Sequence, residues 1–175
     1  MSHRIALFSM LLTAVLCLGL SFGCTKTETA PEKGSGDGEN GAAEEAVDPH
    51  DVPITDEQKE QMRQDTAKFA DAVDVVTKLS DAVETETKDG IPANPFEAHQ
   101  ALDKLDIVTQ WLPEIAKNSG VPKEDWATVT TAANNLREAF DTIHLNIDGK
   151  KDPDFAGQKQ VIDDSIAQLK SVIPQ

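Results

Sequence analysis

The chain has 175 residues, and its 31 acidic against 16 basic side chains give a formal net charge of −15. Such an acidic surface repels phosphate backbones and anionic lipid headgroups, so binding to nucleic acid is not expected. Cations, metal ions and other proteins remain as partners, although acidity also serves simply to keep a domain soluble. The length suits one folded domain together with additional segments.

The first 20 residues have the pattern of a secretory signal. Arg4 is followed by an almost wholly apolar run over residues 5–20. A basic stretch followed by an apolar stretch is typical of such signals. The run of about 16 residues is shorter than the roughly 20 that a membrane-spanning helix needs. The sequence therefore predicts that residues 1–23 are a signal peptide that is removed.

Cys24 follows Gly23 at the point where the apolar run gives way to a polar segment. A small residue followed by cysteine at this place resembles the lipobox of bacterial lipoproteins, although Ser21 and Phe22 stand where that box usually has leucine and a small residue. The resemblance implies that Cys24 carries a lipid anchor in the cell envelope. It favours the outer membrane, because Thr25 is not the aspartate associated with inner-membrane retention. The alternative is an ordinary signal peptide that leaves Cys24 as a free thiol.

Residues 24–53 form a polar segment that contains only two valines, Val47 and Val52, as large apolar side chains. A stretch of this composition buries too little surface to offset the entropy of ordering it. Its GSGDGENG run lacks the preceding strand and the following Gly-Lys-Ser/Thr of a phosphate-binding loop. The segment is therefore predicted to be a flexible tether.

Residues 54–175 carry apolar side chains at helical spacing, which predicts an all-α domain. Four helices are expected: one over residues 56–87, a second from Asn94, a third that Pro122 opens and a fourth from Asp154. Glycine and proline stand at their ends, as in most helix boundaries. Four amphipathic helices with short connections indicate an antiparallel up-down-up-down four-helix bundle.

The third predicted helix has the most regular apolar stripe, with alternating intervals of three and four residues. It consists of Trp126, Val129, Ala133, Leu136, Phe140, Ile143 and Ile147. Trp126, Phe140 and Phe69 of the first helix are expected in the core. Pro113 interrupts the second helix and predicts a kink there, beside which Trp111 is a candidate for lining a groove.

Catalytic signatures are lacking in the sequence. It contains no HExxH or CxxC motif and no evident Ser/His/Asp set, so the protein is not expected to be an enzyme. Asp148, Asp152 and Asp154 offer oxygen ligands, but the segment lacks the residue order of an EF-hand. A turn followed by a capped helix explains these three residues equally well.

His99 and His144 are the two histidines within the predicted bundle. They lie 21 residues before and 24 residues after Gly120, so antiparallel helices place them at a similar height. Two imidazoles at one level suit zinc, copper or a b-type haem, with Asp or Glu from an adjacent helix completing a zinc site. The competing interpretation is that each histidine bonds a neighbour or reaches solvent.

The sequence thus predicts a membrane-anchored envelope lipoprotein that presents an acidic helical bundle for protein interaction or scaffolding, without a required cofactor. The alternative is a bundle that binds a small molecule, a metal ion or a b-type haem. An architecture alone does not establish either function.

Overall fold

The computed structural model describes residues 52–174, so the predicted signal peptide, Cys24 and most of the tether lie outside the described part of the chain. Residues 52–174 form helices and no strand, which confirms the all-α class. The helices are α1 (Asp56–Asp65), α2 (Phe69–Thr87), α3 (Phe96–Asn118), α4 (Trp126–Asp148) and α5 (Phe155–Ser171), and a 3₁₀ turn, Lys123–Asp125, leads into α4.

The prediction of one helix over residues 56–87 is wrong, because the chain breaks between α1 and α2. The Thr66 hydroxyl donates to the Met62 carbonyl at 2.7 Å, and Lys68 is extended at φ −111° and ψ 148°. Phe69 then begins α2, and its N–H donates to the Ser119 hydroxyl at 3.1 Å. In a continuous helix, the Phe69 N–H would donate to a backbone carbonyl of the preceding turn. Here the hydroxyl of Ser119, at the C-terminal end of α3, accepts this hydrogen bond.

The ends of α1 and α3 follow the expected signals. Thr55 and Gln58 form a reciprocal capping box at the start of α1. At the start of α3 the Asn94 carboxamide oxygen accepts from the Phe96 N–H at 3.1 Å. The helix α3 continues through Pro113 without being divided.

Trp111 of α3 lies under α1. The Arg63 guanidinium stands 4.1 Å from the Trp111 ring centroid, and both side chains border a small groove between the two helices. Because an arginine over an aromatic face is attracted by the ring quadrupole, this contact holds α1 against α3. The expectation that Trp111 lines a groove agrees with this position.

The core lies between α2, α3, α4 and α5, and the predicted stripe of α4 is buried in it from Val129 to Ile147. Phe69 and Phe140 retain only 1% and 4% of their surface, as expected for core residues. Trp126, which was also expected in the core, is only partly buried and packs against the core. Its indole N–H donates to the Val121 carbonyl at 2.9 Å. Within residues 52–174, none of the helices has both the length and the apolarity that crossing a membrane requires.

Candidate metal centre

Three potential metal ligands meet where the start of α3 lies beside the end of α4. His99 is in the first turn of α3 and is 3% exposed. His144 follows the buried Ile143 in α4, and Asp148 is the last residue of that helix. Residues four apart lie on one face of a helix, so α4 directs both His144 and Asp148 toward His99.

The two imidazoles are in direct contact. His99 Nδ1 and His144 Nε2 are 2.8 Å apart, and the rings meet edge to face with centroids 4.7 Å apart. Asp148 Oδ1 lies 3.3 Å from His99 Nε2 and 3.9 Å from His144 Nε2. The contact between the two rings is a hydrogen bond in which one ring nitrogen donates and the other accepts, according to their tautomers. An ionised Asp148 carboxylate can only accept.

Asp148 Oδ1 lies 3.3 and 3.9 Å from the Nε2 atoms of His99 and His144, which is close to the spacing of ligands around a metal ion. With bonds of about 2.0–2.2 Å to nitrogen and oxygen, two ligands of a tetrahedral zinc ion are roughly 3.3–3.5 Å apart. One donor atom from each of His99, His144 and Asp148 can be chosen so that all lie within 4.8 Å of one another. Small rotations of the three side chains would therefore bring them to zinc-binding distances.

The donor types narrow the choice of ion. Imidazole nitrogen suits zinc, copper, iron and nickel, whereas magnesium and calcium prefer oxygen ligands throughout. Two imidazoles with one carboxylate therefore favour a divalent transition metal, and zinc binds both of these donor types.

A groove between α3 and α4 reaches this cluster. It has a volume of about 340 Å³, and its lining includes Leu102, Asp106, Arg137, Phe140 and His144. Arg137 Nε is 3.2 Å from Asp106 Oδ1, so an ion pair joins the two helices along the groove. His144 therefore borders the groove and also contacts His99.

His99 and His144 were expected at one level of the bundle, and the structure brings them into contact. For this pair, the sequence pattern indicated the right residues. The carboxylate was expected from an adjacent helix, whereas Asp148 belongs to α4, the helix of His144. The missed signal was the four-residue interval between His144 and Asp148. Asp152 and Asp154 do not join the cluster: the Asp152 carboxylate accepts from the Asp154 N–H at 2.9 Å within the loop before α5.

Comparisons with protein-family models, with curated proteins and with solved structures give no match to this chain. The geometry of His99, His144 and Asp148 is therefore the basis for assigning a function.

Proposed function

We propose that the domain binds a divalent transition-metal ion, zinc in the first place, through His99, His144 and Asp148. The observation that supports this is the convergence of two imidazoles and a carboxylate with donor atoms within 4.8 Å. Histidine binds a metal ion only in its neutral form, and protons compete with the ion for these donor atoms, so binding is expected to weaken as the pH falls.

The arrangement supports a bare ion better than a haem. A haem with two histidine ligands holds them on opposite faces of the porphyrin, so the ring must fit between them. Here His99 Nδ1 and His144 Nε2 are 2.8 Å apart, and His99 is 3% exposed. Admitting a porphyrin would require α3 and α4 to separate at this end, whereas an ion requires only side-chain rotation.

The test is zinc titration of the purified full-length chain, with the affinity measured by competition against a chromophoric chelator. Asp148→Asn and His144→Ala are each expected to weaken binding by at least about tenfold, because loss even of an outer-shell partner of a ligand costs roughly 10–100-fold. Asp74→Asn is the matched control, since Asp74 is an exposed acid on α2 outside the cluster and outside this groove. An affinity that none of these variants changes would overturn the proposal.

The overall arrangement that we propose for α2 to α5 is an antiparallel up-down-up-down four-helix bundle. Contacts join α2 to α3, α3 to α4, α4 to α5 and α2 to α5, which completes a ring of neighbours. Short connections favour antiparallel neighbours. The helix α1 is an addition at the outside of this ring, where it contacts α2 and holds Trp111 through Arg63.

We further propose that a lipid on Cys24 tethers this domain to the bacterial cell envelope, where it also presents a surface for a protein partner. Support for the anchor comes from the signal-like residues 1–23 and from the polar segment 24–53. Support for the partner surface comes from Leu145 and Val161, which are 62% and 42% exposed. Capture of one envelope protein, reduced by Leu145→Glu, would support that second function.

A further inference from the structure

The groove between α3 and α4 extends along both helices beyond the metal cluster. Its α4 side consists of Arg137, Phe140, Asp141 and His144. Residues three, four and seven apart lie on one face of a helix, and seven residues rise about 10 Å along its axis. The groove therefore follows about two turns of α4. Its volume of about 340 Å³ is near the lower end of the range for small-molecule sites.

The lining of the groove divides into an apolar part and a charged part. Leu102, Leu105 and Phe140 are its apolar side chains, and each has 4% or less of its surface exposed. Arg137 and Asp141 are exposed. The groove therefore has an apolar floor and a charged rim. Ligand sites commonly combine an apolar lining with a few polar groups that fix the orientation of the ligand.

The charged rim offers groups of both signs. Within residues 52–174, the ion pair of Arg137 is with Asp106 across the groove, where Arg137 Nε lies 3.2 Å from Asp106 Oδ1. A guanidinium has five N–H donors, so its terminal NH2 groups can also bind a carboxylate through two parallel hydrogen bonds. Asp141 borders the same groove, and its ionised carboxylate accepts hydrogen bonds from an ammonium group.

Arg137 and Asp141 are spaced for a compact zwitterion. Side chains four residues apart on a helix have β-carbons about 6 Å apart. An α-amino acid carries its carboxylate and its ammonium group on one carbon atom, so it can bridge two such side chains. Phe140 directly precedes Asp141 and lines the same groove, which places apolar surface beside the charged pair.

The other charges of the groove argue against simpler ligands. Asp103 and Asp106 add their negative charges to that of Asp141, so an anion without an ammonium group would be repelled. A purely cationic ligand would not use the Arg137 guanidinium. Within residues 52–174, the metal cluster described above is the only group of three or more ligands at metal-binding distances, so these aspartates do not form a second metal site.

We propose that this groove binds a small zwitterion, namely an α-amino acid with an apolar side chain such as leucine or phenylalanine. The Arg137 guanidinium would bind its carboxylate, and the Asp141 carboxylate would bind its ammonium group. Leu102, Leu105 and Phe140 would contact its side chain. The site requires no metal ion, so this inference goes beyond the proposed metal function and does not depend on it.

The test is isothermal titration calorimetry of the purified full-length chain with L-leucine. A chelator is present, so that zinc complexes of the amino acid do not contribute. We expect saturable binding that Arg137→Gln and Asp141→Asn each weaken by about tenfold, the lower end for a lost hydrogen bond to a charged group, because both side chains are exposed. Asp74→Asn, which removes an exposed acid of α2 outside the groove, is the matched control and should leave the affinity unchanged.

Truncated ligands test each part of the recognition separately. Isocaproate lacks the ammonium group of leucine, isoamylamine lacks its carboxylate, and glycine lacks its apolar side chain. Because a site that pairs with a ligand group discriminates against analogues without that group, each should bind at least about tenfold more weakly than leucine.

Three outcomes would overturn the inference. The first is no binding of leucine or phenylalanine at millimolar concentrations. The second is equal affinity for leucine and isoamylamine, since the groove would then be a site for cations, including the basic side chains of a protein. The third is leucine binding that neither Arg137→Gln nor Asp141→Asn weakens. Zinc titration measures the metal function separately, so none of these outcomes would decide the metal proposal.

Discussion

A buried histidine needs partners for its ring nitrogens, because an imidazole removed from water without hydrogen bonds is costly. His99 has His144 Nε2 beside Nδ1 and Asp148 Oδ1 beside Nε2. His99, His144 and Asp148 contact one another, and they are also the residues that would bind the metal ion. The contacts that compensate for the burial of His99 and the proposed metal binding therefore involve the same three residues.

Phe140 lies one turn before His144 in α4, and nearby positions of this helix differ strongly in solvent exposure. It is 4% exposed, whereas Leu145 on the same helix is 62% exposed. Phe140→Ala is expected to lower the free energy of unfolding by about 3–5 kcal/mol, since it leaves a cavity in the core.

Leu145→Ala is the control and should change the same quantity by only about 0.5 kcal/mol. Urea denaturation followed by circular dichroism, with a chelator present, measures both. A loss below about 1 kcal/mol for Phe140→Ala would contradict the core position of its ring.

Ion pairs join several of the helices across their exposed edges. Lys159 of α5 lies 3.1 Å from a carboxylate oxygen of Glu84 in α2 and 3.5 Å from one of Asp163. The hydrogen bond to Glu84 first, and then the negative charges of Asp163 and Glu84, raise the pKa of Lys159 above its ordinary value of 10.5. Glu84 therefore helps to hold α2 against α5, in addition to their apolar contact.

The raised pKa of Lys159 gives the pH dependence of this link a definite sign. The folded state holds the proton more tightly than the unfolded state, so the link stabilises the fold fully below about pH 10.5 and loses this effect as the pH rises through the folded pKa. Lys159→Gln should cause a small loss of stability at pH 9, because exposed pairs contribute little, and a still smaller loss above pH 11.

Lys78→Gln, which removes another exposed lysine, is the control for nonspecific charge effects. Denaturant midpoints of both variants at pH 9 and pH 11.5 measure the difference. A deficit for Lys159→Gln that grows with pH would contradict the assigned direction.

At the scale of the whole molecule, the net negative charge and the proposed lipid anchor have opposite effects on membrane attachment. A net charge of −15 opposes adsorption to anionic lipid. Several acyl chains on one cysteine would overcome this repulsion, because each buried methylene contributes about 0.8 kcal/mol and stable anchoring needs more than one chain.

The proposed anchor predicts that Cys24→Ser transfers the protein from the membrane fraction to the soluble fraction, or leaves its signal uncleaved. Cys17→Ser is the matched control, since Cys17 lies inside the apolar run of residues 5–20. Fractionation and intact-mass measurement of both variants test this. Unchanged mass and partitioning in Cys24→Ser would refute lipidation at that residue.

Helical periodicity by itself determined the all-α class and the stripe that ends at Ile147, because these follow from the local repeat of 3.6 residues. The common level of His99 and His144 was predicted from their similar separations from Gly120 and requires, in addition, that the two helices run antiparallel. The tertiary structure decided three further points. The first predicted helix is divided into α1 and α2, and the Phe69 N–H at the start of α2 donates to the Ser119 hydroxyl, which is distant in sequence. The tertiary structure placed Arg63 over Trp111. It also joined Asp148 to the two histidines, because contact distances of a few ångströms depend on how α3 and α4 approach each other and on their side-chain rotamers, which the local repeat does not specify.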